Sequence, residues 1–122
     1  MTSEQKEKCH YIIHGAAASG AAAAATLAQL PGTDNVVLVG IEAAMVVALG
    51  EVFGASITKA WATAIVAGAA GTLVGRGVSQ FLFGWVPILG NAINASTAAG
   101  VIEALGWKIA HDFDEGRIKS ES

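Results

Sequence analysis

Apolar residues fall into four long runs separated by short polar or proline-bearing breaks, and run length predicts helices throughout. The first run, His10 to Leu30, contains no Asp, Glu, Lys or Arg and is dominated by alanine, with Ala21 to Ala25 an unbroken block of the strongest helix former. Pro31-Gly32 ends it, and Thr33, Asp34 and Asn35 offer side-chain oxygens to cap the next helix. Val36 to Leu49 is apolar except for Gly40 and Glu42, and its length favours a helix over a strand. Ser56 is the expected cap of a third helix running through Lys59 and Trp61 to about Phe83. Gly84-Trp85-Val86-Pro87 makes a turn, because proline fits a first helical turn and holds its predecessor extended. A fourth helix follows to about His111, so that Trp85 to Gly100 forms the apolar hairpin between the last two helices.

Short connections between four helices imply antiparallel neighbours. The expected fold is all-α: antiparallel hairpins forming a Gly/Ala-rich four-helix bundle. One domain covers residues 1–122, with 1–8 as a polar leader and 113–122 as a charged, loosely held tail.

The third helix carries Gly68, Gly71 and Gly75, and Ala60, Ala64, Ala67 and Ser79 complete a ridge of small residues at spacings of three and four. Each helical glycine costs up to about 1 kcal/mol relative to alanine, so a cluster calls for an offsetting gain. Close approach of another helix supplies one, either in lipid, where small-xxx-small faces associate, or in a tightly packed alanine-rich core in water.

Composition sharpens that choice. Of 122 residues, 53% are hydrophobic and 14% charged, and the mean hydropathy is +0.54. An ordinary soluble domain is roughly 25% charged, so either lipid or further copies of the chain must cover part of the surface. A net charge of −3 and the lack of a basic stripe exclude nucleic acid as a partner. The lone cysteine, Cys9, excludes an internal disulfide framework. Glu4 and Glu7 interrupt the N-terminus, which does not read as a secretory signal, so the cytoplasm or the cytoplasmic membrane is the expected location.

Alternating helices sort the polar residues to one end of the bundle: Lys6, Lys8, His10, His14, Glu51, Lys59, Lys108, His111, Asp112 and Asp114. Helices of about 20 to 25 residues would be about 30 to 37 Å long, enough for a bilayer core, although alanine and glycine dilute every segment. Glu42 lies eight residues after Asp34 and Arg76 eight before Gly84, which puts both about 12 Å below the opposite end, level with Asn94. Glu42, Arg76 and Asn94, with Asn91, are therefore expected to form a buried polar layer. Such a layer serves either as an ion path or switch, or as a paired charge that fixes helix register. Glu103 has no evident partner and is placed at the surface or against another subunit.

His10 and His14 stand one helical turn apart, and His111 comes to the same end of the bundle. Together they are candidate ligands for zinc or another transition metal, against a plainer reading as polar residues at a helix end. Cys9 has no neighbouring base and reads as a packing residue. Trp61, Trp85 and Trp107 are either interface anchors or core fillers. Gly71-Thr72-Leu73-Val74-Gly75-Arg76-Gly77 lies inside a helical run and is not followed by Lys-Ser or Lys-Thr, so it is no phosphate loop. No catalytic residues and no cofactor motif emerge.

Leu30-Pro31-Gly32-Thr33-Asp34, Ile41-Glu42-Ala43-Ala44-Met45, Val52-Phe53-Gly54, Pro87-Ile88-Leu89-Gly90-Asn91-Ala92-Ile93-Asn94 and Glu103-Ala104-Leu105-Gly106-Trp107 occur in that order. In this arrangement the chain resembles the YcjF-like bacterial domain of unknown function, over roughly Gly15 to Ala110. The resemblance implies a helical, membrane-associated domain with an Era-like GTPase as partner. This chain has no GTPase domain of its own, and it carries Glu42 where that family commonly has a neutral polar residue. The combined expectation is a non-enzymatic, membrane-associated module that forms homo-oligomers through Gly/Ala faces. The alternatives are a soluble self-assembling scaffold and a small pore-like assembly.

Overall fold

The computed structural model describes residues 1–27, 34–75 and 95–119. Within them lie four helices: α1 (Ser3–Leu27), α2 (Asp34–Val52), α3 (Lys59–Gly75) and α4 (Ala95–Asp114). They pack as an antiparallel bundle in which α1 and α4 make the broadest contact and α2 touches all three others. That position suits its sequence, which is apolar around most of the helix and buries Leu38, Ala43, Met45, Val46 and Leu49.

Local chemistry sets the helix ends. Thr2 and Gln5 form a reciprocal capping box: Gln5 N–H donates to Thr2 Oγ1 at 3.0 Å and Thr2 N–H to Gln5 Oε1 at 2.9 Å. The expected polar leader is thus the first two turns of α1. The cap of α3 is Thr58 rather than Ser56, its Oγ1 accepting from Trp61 N–H at 3.1 Å and its carbonyl from Ala62 N–H at 2.8 Å. Both α2 and α4 stop on a glycine in the left-handed region, Gly54 at φ 76° and Gly116 at φ 75°. In each case the two bonds of a Schellman motif close the end: Ala55 N–H to Gly50 O and Gly54 N–H to Glu51 O, then Arg117 N–H to Asp112 O and Gly116 N–H to Phe113 O.

The core follows helical periodicity. On α1 it is Cys9, Ile13 and Ala17; on α4 it is Ala98, Val101, Ile102, Leu105, Ile109 and Phe113. Leu49, Ile13, Ile102, Leu105 and Ile109 are fully buried, each worth about 1.5–3 kcal/mol of transfer free energy. The glycines that allow close helix approach are Gly20 and Gly106 in the α1–α4 seam, and Gly50 beneath Ile57.

The start of α1, the α2–α3 connection and the end of α4 meet at one end. The Met1 amino group pairs with Asp114 at 2.9 Å, and Phe53 stacks on Phe113 with ring centres 6.0 Å apart. The expected loose tail is tied down there, because Trp61 Nε1–H donates to Lys119 O at 2.9 Å and Ile118 packs on the core.

No helix among the described residues is long and apolar enough to cross a membrane, in keeping with the dilution of every apolar run by alanine and glycine.

Candidate functional site

Glu42 is the buried polar residue of the described core, 1% exposed in the middle of α2. Its Oε2 has no hydrogen-bond partner among the described residues. An ionised carboxylate in such surroundings is costly, so burial pushes its pKa up to about 8 and favours the neutral acid at pH 7. Of the expected layer, Glu42 alone is described and it is buried, whereas Arg76, Asn91 and Asn94 lie outside the described residues.

A second cluster is built across the α1–α4 seam. Antiparallel packing sets Gly106 against Ile13, and three residues earlier on α4 the Glu103 carboxylate pairs with His14 Nδ1. Glu103 therefore has a partner within its own chain, where the sequence suggested a free surface or another subunit. His10 and His14 lie with ring centres 4.1 Å apart and planes tilted by 39°. His111 does not join them: it is eight residues beyond Glu103, about 12 Å further along α4, with its ring beside Trp107. Among the described residues no group of three or more His, Cys, Asp or Glu is gathered so as to hold a metal ion. The three-histidine site is corrected accordingly. Next to His10 is an open cleft of about 470 Å³ lined by Ser3, Lys6, Glu7, His10, Tyr11 and Trp107.

At the closed end, Asp112 accepts from Lys108 Nζ at 2.8 Å and from Arg117 at 3.2 Å, and Arg117 also reaches Glu115 at 2.7 Å. Cys9 is fully buried, and burial, followed by the Asp114 charge, pushes its thiol up, away from nucleophile chemistry. Trp61 and Trp107 are half-buried and packed on the core, while Trp85 lies outside the described residues.

The described part of the small-residue ridge of α3 lies away from the other described helices. Ala60, Ala64, Ala67, Gly68 and Gly71 are exposed, and a Cβ on Gly68 or Gly71 would meet nothing within 4 Å among the described residues. Among the described residues these glycines pack against no other helix; Gly75 closes the described part of α3 and Ser79 lies outside it. Among the described residues the glycines that do pack are Gly20, Gly50 and Gly106, which the sequence does not distinguish from the others because nothing there fixes the helix registers. No family model, curated protein or solved structure matches this chain.

Proposed function

We propose that this chain is a non-enzymatic helical module that forms homo-oligomers through the outer face of α3 and works against a membrane surface. The exposed seam of Ala60, Ala64, Ala67, Gly68 and Gly71 carries the reading. Positions 60, 64, 67 and 71 repeat at spacings of four, three and four, the pattern that two helices need to mesh. Glycines there cost helix stability without a contact to any other described helix in return, and a second copy of α3 supplies one. Burying the seam leaves no hydroxyl stranded, because Thr63 and Thr72 already donate to Lys59 O at 3.0 Å and Gly68 O at 3.1 Å.

The lipid part rests on composition, with only 14% charged residues. With no described helix able to cross, lipid contact is lateral, along the apolar faces. The same seam supports a second reading, a scaffold assembled without lipid. A pore has less support, since Glu42 is enclosed within the single-chain core rather than set on an outer face. An Era-like GTPase as partner enters through the YcjF-like resemblance alone, and it would dock at the charged end around Lys6, Lys8 and Lys108.

Fractionation of the expressed chain tests the proposal. Co-sedimentation with membranes and release by detergent supports the lipid part, and a discrete oligomer on sizing of the detergent extract supports self-association. A discrete detergent-free oligomer removes the lipid part and leaves the scaffold, and a monomer in both media overturns self-association.

A further inference from the structure

We propose that His10 and His14 form a two-imidazole site for a first-row divalent transition metal, with Glu103 of α4 as the residue that positions His14. The argument begins with tautomers. The Glu103 carboxylate engages His14 Nδ1, which keeps the proton on Nδ1 and leaves the Nε2 lone pair free for a metal. One turn earlier on α1, His10 brings a second ring to 4.1 Å centre to centre, so two imidazole edges lie on the same face. Both histidines are exposed, and the cleft lined by Lys6, Tyr11 and Trp107 opens beside His10, giving an ion a path in from solvent.

Two protein ligands fall short of the three or four of an enclosed zinc centre, in keeping with the absence of any larger donor group among the described residues. Water completes the coordination sphere, so the site binds reversibly. Imidazole donors select nickel, copper and zinc over magnesium and calcium, with copper the tightest of the divalent series. The carboxylate-imidazole-metal chain reaches across two helices, so metal binding and the α1–α4 packing support each other.

Calorimetric titration of the full chain with Ni²⁺ and with Mg²⁺ at neutral pH provides the test, together with His10→Gln, His14→Gln, Glu103→Gln and His111→Gln. Circular dichroism establishes that each variant is folded; the first, second and fourth change exposed side chains. The expected result is one Ni²⁺ per chain, no Mg²⁺ binding, and at least tenfold weaker binding after either His10→Gln or His14→Gln. Glu103→Gln weakens binding about tenfold without abolishing it, and His111→Gln leaves it unchanged. Equal losses in the His10, His14 and His111 variants, wild-type affinity in Glu103→Gln, or no Ni²⁺ binding by the wild type overturns the proposal.

Discussion

Gly106 of α4 lies against Ile13 of α1 with no space for a side chain: a Cβ on Gly106 would stand 2.7 Å from Ile13 Cγ1 and 2.9 Å from Cγ2. Both atoms branch from the Cβ of a fully buried isoleucine, so neither can swing clear. Gly106→Ala should therefore destabilise the bundle by about 1–3 kcal/mol through overpacking, despite alanine's better helix propensity. Gly15→Ala, at an exposed α1 position with nothing within 4 Å among the described residues, should instead stabilise it by up to about 1 kcal/mol. Urea unfolding of the two variants measures both, and opposite signs are the expected outcome.

Glu42 makes stability depend on pH in the sense opposite to an ion-paired carboxylate. Burial raises its pKa from 4.5 to about 8. Between those values the folded chain keeps a proton that the unfolded chain has released. The contribution is therefore fully present below pH 4.5 and is lost as pH rises through about 8, at roughly 1.4 kcal/mol per pH unit. Glu42→Gln, a neutral side chain of the same shape, should match the wild type near pH 4.5 and become progressively more stable than it towards pH 8. Parallel stability curves for the two proteins over that range would show that Glu42 does not titrate as described.

Asp112 and Glu4 both pair with a lysine one helical turn away, and their burial separates their effects. Asp112 and Lys108 are 13% and 15% exposed, whereas Glu4 and Lys8 are 78% and 60% exposed. Asp112→Ala leaves a largely buried ammonium without its acceptor and should cost about 1–3 kcal/mol. Lys8→Ala should change stability by less than about 0.5 kcal/mol. Thermal unfolding of each variant, at low and at moderate salt, distinguishes the two.

Among the described residues, the helical character of each apolar run and the meeting of the charged ends follow from run lengths. Thr2-Ser3-Glu4-Gln5 carries a capping-box pattern, but its charged neighbours make the start of α1 resemble a polar leader. The α1–α4 register was not legible. It depends on which glycine admits which isoleucine, and the same geometry puts Glu103 rather than His111 next to His14. Small residues on α3 announced a close contact without saying whether its partner lies within the chain or outside it. Burial of Glu42 follows from its depth along α2, eight residues after Asp34, and the structure buries it.

The central claim, that copies of this chain meet along α3, is tested most directly by oxidative cross-linking of Gly68→Cys under mild oxidation. Cys9 is buried and free, so it stays silent. The account predicts rapid formation of a covalent dimer through position 68, far faster than through the exposed control Glu4→Cys. Dimer formation at position 68 no faster than at position 4 would contradict it.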